Sequence, residues 1–140
     1  MQKLILIRGV PGSGKSTIAK AISLNAGTYH LEADMFFIND GVYTFDATQL
    51  YAAHMWCQRM TKHNLSRGYD VVVSNTFTTK KELKPYFEIA SEYGFIPQVI
   101  VCQNEFKNVH SVPDEALARM KERFTYDISS LFETEMETVE

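Results

Sequence analysis

The chain has 140 residues, 45% of them apolar, with 14 Lys and Arg against 17 Asp and Glu for a formal charge of −3. That length holds one domain with a single core and excludes two full cores. The net negative charge argues against a nucleic-acid binder held by charge alone, and no apolar run is long enough to cross a bilayer.

The first element is predicted over residues 3–8, KLILIR, a continuous apolar run suited to a strand buried on both faces. It runs straight into GVPGSGKST, in which Gly9, Gly14, Lys15 and Ser16 complete the pattern G-x-x-x-x-G-K-[ST]. Glycines at 9, 12 and 14 can turn successive backbone N–H groups inward as an anion nest, and a helix starting near Lys15 aims its positive dipole end at the same spot. Lys15 then reaches the β- and γ-phosphates of a nucleoside triphosphate, and the Ser16 hydroxyl ligates magnesium. Ser13 and Thr17 belong to the same nucleotide-binding set. Ile18 and Ile22 lie four apart on one helical face, so strand, loop and helix follow in the order the chemistry demands.

A second strand is predicted near 28–32, followed by EADMFF. Asp34 there is placed either to take the proton from an attacking hydroxyl or to cap the segment that follows, and Glu32 is expected to face a neighbouring helix. The aromatic residues Phe36, Phe37, Tyr43, Phe45, Tyr51 and Trp56 read as core or as a stacking wall for a base or sugar. Residues 46–49, DATQ, form a capping-box pattern for a helix that Gly68 ends. Its Leu50, His54, Cys57 and Thr61 share one face, and His54 with Cys57 is read as a packed or groove-lining pair, two ligands being too few for a metal.

The third strand, near 70–74, leads into SNTF at 74–77. No Asp stands at this strand end, where a magnesium-associated one is expected. Ser74 and Asn75 can hold a metal-bound water without charge, which leaves Asp34 to serve the magnesium shell as well as the acceptor. A helix from Thr79 to Tyr93 opens on the box TKKE and stops at Gly94, with Pro85 implying that the regular helix starts late. A fourth strand is expected at 95–102. The polar segment 103–113 suits a lid carrying Lys107 over the transferring phosphoryl group. The last helix starts near Pro113 and is expected to bury Leu117, Met120 and Phe124. Its Arg119 and Arg123 share a face, as a second phosphate clamp or as partners of Glu115 and Glu122.

Asp127, Glu133, Glu135, Glu137 and Glu140 lie at the C-terminal end with no Lys or Arg after them. They suggest a domain over 1–126 and an acidic tail or helix end over 127–140, a solvated face. Cys57 and Cys102 stand apart in sequence, and no signal peptide precedes the phosphate loop. Both features suit the cytoplasm. Strand alternating with helix implies an α/β fold with a parallel sheet covered on both sides, whose ligands bind at the carboxyl ends of the strands.

GVPGSGKST at 9–17, DMFF at 34–37, YTFD at 43–46, HMWC at 54–57, SNTFT at 74–78 and NVHSVP at 108–113 together resemble the P-loop kinases related to phage polynucleotide kinase and to the NEDD4-binding protein 2-like proteins, in order over residues 1–126. The resemblance implies a kinase-type, three-layer α/β/α fold with a short parallel sheet of order 2-3-1-4. It also implies ATP with Mg2+, and transfer of the γ-phosphate to a hydroxyl acceptor such as a nucleic-acid 5' end. Lys15 and Ser16 then hold the phosphates and metal, Asp34 matches the general base, and Lys107 stands where the family often has a lid Arg. Phe37 occupies the place of an Arg that grips the acceptor's phosphate, and Asn75 the place of an Asp. The acceptor set is therefore Asp34, Phe36, Phe37, Trp56 and Asn75, more apolar than in the phage enzyme. Pro97 marks the fourth strand as an edge. A kinase for a nucleoside, sugar or antibiotic, and an ATP-holding module that transfers nothing, remain open beside the polynucleotide reading.

Overall fold

In a computed structural model, residues 2–104 and 112–133 are described. Lys107, with the rest of the expected lid from 105 to 111, lies outside them, as do residues 134–140 of the acidic end.

The apolar run at the start forms β1 (Leu4–Arg8), and the glycine loop delivers the chain into α1 (Lys15–Ile22). There follow β2 (Thr28–Leu31), a short hairpin of β3 (Ile38–Asn39) and β4 (Val42–Tyr43), α2 (Leu50–Ser66), β5 (Asp70–Asn75), α3 (Lys80–Glu92), β6 (Gln98–Val101) and α4 (Asp114–Arg123). The main sheet has the order β2-β5-β1-β6, which is 2-3-1-4 when its four strands are counted along the chain. All its pairings are parallel, with Leu4 opposite Val71 and Arg8 opposite Asn75 in the central pair. This register sets the carboxyl ends of β1 and β5 side by side.

The alternation of side chains along the central strands explains why they read as unbroken apolar runs. Leu4, Leu6, Val71 and Val73 point into a core shared with Ala53, Cys57 and Leu65 of α2 and with Leu83, Phe87 and Ala90 of α3. Ile7 and Val72 point the other way, against Ala19, Ile18 and Ile22 of α1. Helices cover both faces of the sheet, so the central strand residues are buried whichever way they point, apart from the half-buried Ile5 and Asp70.

Several local expectations change. Pro85 lies inside a regular α3 that begins at Lys80, where Thr79 and Glu82 close the capping box. The box fixes the helix start, and the proline forfeits one early backbone hydrogen bond instead of delaying the helix. β6 is shorter than the run at 95–102 and sits at the sheet edge directly after Pro97, as a residue without an N–H requires. Asp46 caps a single 3-10 turn at Ala47–Gln49, accepting from the Thr48 N–H, and the α-helix proper starts at Leu50. On α4, Phe124 is buried but Leu117 and Met120 are half-buried. The core also continues past residue 126: Ile128 is buried within it, and the Phe132 ring meets Phe87 edge-on at 5.0 Å.

Phe37 belongs to this core. It is 4% exposed and wedged among Phe36, Tyr43 and Phe45 at centroid distances of 5.5, 6.3 and 5.1 Å. Phe37→Ala is therefore expected to cost about 3–5 kcal/mol of stability, read as a lowered denaturant midpoint. An unchanged midpoint would show that the ring is not a packing element.

Candidate active site

The phosphate loop takes the shape its glycines permit. Gly12 and Gly14 have φ of 84° and 97°, in the left-handed region open to glycine. Gly9 is needed for a different reason: a Cβ there would come within 2.7 Å of the Cys102 carbonyl oxygen. Gly14 caps α1 without any side-chain hydrogen bond, so the first-turn N–H groups of the helix have no side-chain acceptor. The Ser13 side chain is fully buried and its hydroxyl has no partner among the described residues. These are features of an anion cradle, and the residues present fit a triphosphate.

Lys15 is half-buried, and its ammonium donates to the Val10 carbonyl at 3.3 Å. Burial lowers its pKa, while Glu32, Cys102 and Asp34 act in the opposite direction. The Ser16 hydroxyl donates to Glu32 Oε2 at 2.9 Å. Glu32 thus faces a neighbouring helix as expected, and meets it at the first turn of α1, where that helix closes the phosphate loop. The parallel pairing of Leu31 with Val73 brings the chain off β2 beside Ser74, close to the start of α1. His30 Nε2 lies 2.8 Å from Glu32 Oε2 and 3.0 Å from Ser74 Oγ. Burial pushes the Glu32 pKa up, but hydrogen bonds from His30 and Ser16 outweigh it and hold the carboxyl below its ordinary value.

Asn75 does not present a free amide. Its Oδ1 accepts the Ala33 N–H at 2.9 Å, and its Nδ2 lies 3.8 Å from Cys57 Sγ. That bond fixes the 3-10 turn Ala33–Phe37, which carries Asp34 into the cleft. The turn has no side-chain cap hydrogen bond, so the capping alternative for Asp34 is not what the structure shows. Asp34 Oδ1 instead accepts from the Tyr43 hydroxyl at 3.4 Å. Burial raises the Tyr43 pKa, and the adjacent Asp34 charge raises it further.

These groups line one cleft of about 750 Å³. Gly12, Gly14, Lys15, Ser16 and Thr17 form one wall, with Glu32 and Asp34 beside them. Phe37, Tyr43, Phe45, Leu50 and His54 form the other end. Phe36 and Trp56 are absent from the lining. Their rings lie 6.2 Å apart and pack, half-buried, against the core. The aromatic surface comes instead from Tyr43 and Phe45, on and just after the hairpin. A sequence signal for that hairpin exists: Asp40-Gly41 sits between Ile38 and Val42, and both central residues have positive φ, 50° and 80°.

Lys15 is the only Lys or Arg among the described lining residues. Arg119 and Arg123 are exposed, line no part of the cleft, and form no ion pair with Glu115 or Glu122 among the described residues. A smaller cavity of about 190 Å³ adjoins the loop on its other side, between Gly9, Val10, Cys102 and Tyr126.

Arg8 was not singled out by its sequence. It is fully buried at the root of the loop, with Nε and Nη2 donating to the Phe77 carbonyl at 3.0 and 2.7 Å, Nη2 also reaching the Thr78 carbonyl at 3.2 Å, and the guanidinium 4.1 Å from the Phe124 ring centroid. Burial lowers its pKa against the pull of Glu82 and Tyr126. It ties the chain after β5 and the end of α4 to the phosphate loop.

A family model described as an AAA domain matches residues 4–105. The chain belongs to this family. Human NEDD4-binding protein 2 is 30% identical over 139 aligned positions, which take in 90% of this chain and 8% of that much longer protein. A chain of the Pnkp1/Rnl/Hen1 RNA repair complex superposes with a TM-score of 0.54 at 20% identity, over 94% of this chain and 42% of its own. The APS kinase of Mycobacterium tuberculosis gives 0.57 at 16% identity, over 95% and 98%. At those identities the likeness shows the fold, which is that of P-loop kinases. No helix among the described residues is long and apolar enough to cross a membrane.

Proposed function

We propose that this protein is an ATP-dependent phosphotransferase that moves the γ-phosphate to the hydroxyl of an acceptor held against Asp34. The observation that carries the reading is the convergence of Lys15, Ser16 and Asp34 on one cleft beside an uncapped helix start. The loop N–H groups and Lys15 compensate the triphosphate's charge. Asp34 accepts the acceptor's proton as its oxygen forms a bond to the γ-phosphorus and the bond to the β-bridging oxygen breaks. Magnesium, bound with the triphosphate, would be held through Ser16 and supplies neutralisation of the phosphate oxygens. Lys107 is proposed as the lid cation.

For the acceptor, the reading is a nucleic-acid 5' hydroxyl, supported by the aromatic end of the cleft, where Tyr43 and Phe45 can stack a terminal base at about 1–3 kcal/mol. The fold shared with a component of an RNA repair complex is consistent with it. A second reading, an uncharged small hydroxyl compound, is favoured by a specific observation: Glu32, Asp34 and Glu82 line a cleft whose described part has Lys15 as its only Lys or Arg. Labelled γ-phosphate transfer to a 5'-hydroxyl oligonucleotide, a nucleoside and a sugar tests both. The oligonucleotide is expected to be the best acceptor. Transfer to the nucleoside or sugar alone would replace the first reading with the second, and ATP binding with no transfer to any would leave a nucleotide-dependent binding module.

A further inference from the structure

The strand end where phosphoryl-transfer sites place a carboxylate near magnesium carries Ser74 and Asn75 here. The geometry points to Glu32, one strand over, as the replacement: a positioning residue that orients the Ser16 hydroxyl toward the magnesium of bound ATP. This rests on the phosphotransferase reading above and adds a residue to it.

A serine hydroxyl that ligates a cation does so through an oxygen lone pair, which leaves its proton in need of an acceptor. Glu32 Oε2 is that acceptor at 2.9 Å. With the O–H turned toward Glu32, the lone pairs of Ser16 face away from it, and partners of this kind sharpen and strengthen metal binding. The carboxylate is itself held. Its side chain is 17% exposed, and His30 Nε2 stands 2.8 Å from the same oxygen and 3.0 Å from Ser74 Oγ. Asn75 grips the next residue, through its bond from the Ala33 N–H. The two uncharged residues at the end of β5 therefore act indirectly, by fixing the charged residue at the end of β2. A negative charge is kept beside the phosphate loop, displaced by one strand.

The test is ATP affinity measured by calorimetry in excess EDTA and in excess magnesium, for the parent, Glu32→Ala, Glu32→Gln, Ser16→Ala and the double variant Ser16→Ala with Glu32→Ala. Magnesium is expected to tighten ATP binding to the parent. Glu32→Ala should lower that enhancement by about 10-fold or more while the magnesium-free affinity is kept. In the Ser16→Ala background the same change should lower it little further, because Glu32 acts through Ser16. Glu32→Gln keeps the shape and carries the same comparison if Glu32→Ala does not fold. An enhancement untouched by either change, or affinity lost equally with and without magnesium, overturns the assignment and leaves Glu32 a structural partner of His30. A parent that binds no ATP in either condition instead brings down the phosphotransferase reading itself.

Discussion

Lys15→Ala is expected to lower phosphate transfer by roughly 100-fold or more, the scale found for removing one donor aimed at developing charge. The fold should survive, since among the described residues the ammonium makes a single hydrogen bond, to Val10, and the residue is half-buried at a cleft wall. What is lost is specific. Lys15 is the only Lys or Arg among the described lining residues, so no described neighbour can take over compensation of the β- and γ-phosphates. Burial has already lowered its pKa, and an incoming triphosphate would restore the preference for the charged form. Steady-state turnover with a thermal melt alongside separates the two effects. Turnover equal to the parent's, with the melt unchanged, would remove the phosphate loop from the mechanism.

The sheet and the loop were legible because each follows from local pattern. An unbroken apolar run before a glycine loop can only be a strand covered on both faces, and Leu4, Leu6, Ile7 and Val71 to Val73 are all fully buried. The order 2-3-1-4 came from the resemblance, and the pairings match it. The capping box at Thr79 and Glu82 was readable because it is defined within four residues, whereas the pattern at 46–49 became a 3-10 turn capped through Thr48. What escaped depends on contacts far apart in sequence. That the helix Glu32 faces is α1, met at its phosphate-binding first turn, is decided by the register of β2 on β5, Leu31 opposite Val73, and no period within the segment carries that information. Phe36, Phe37 and Trp56 share the composition of a stacking wall, yet they pack in or against the core where α2 closes over the turn that bears the two phenylalanines, and of the three Phe37 alone also lines the cleft. The other aromatic residues of the cleft, Tyr43 and Phe45, owe their position to the Asp40-Gly41 hairpin, whose turn signal is present in the sequence. Arg8 looks like an ordinary polar strand end in sequence. Only the fold shows that its guanidinium is spent on the carbonyls of Phe77 and Thr78.

Asp34→Asn is expected to lower transfer by about 100- to 10,000-fold while ATP still binds, because the amide keeps the size of the carboxylate but cannot accept a proton. The structure makes the substitution a clean one. Asp34 has one described side-chain partner, the Tyr43 hydroxyl at 3.4 Å, and the turn that carries it is held by backbone and by Asn75, not by Asp34 itself. Stability should therefore change little, and a loss of rate can be assigned to chemistry. By sequence alone, Asp34 is left to serve both the acceptor and the magnesium shell. With Glu32 bonded to Ser16, the roles proposed for the two carboxylates can be told apart by experiment. Changing Glu32 should alter how magnesium affects ATP affinity, whereas changing Asp34 should alter transfer at saturating MgATP. Measuring both quantities for both variants gives a two-by-two comparison with opposite expected signatures. If Asp34→Asn loses transfer only because MgATP no longer binds, Asp34 belongs to the metal and the base must be sought elsewhere. If it loses nothing in either assay, no proton is taken at Asp34, and the protein is better read as a module that holds ATP without passing its phosphate on.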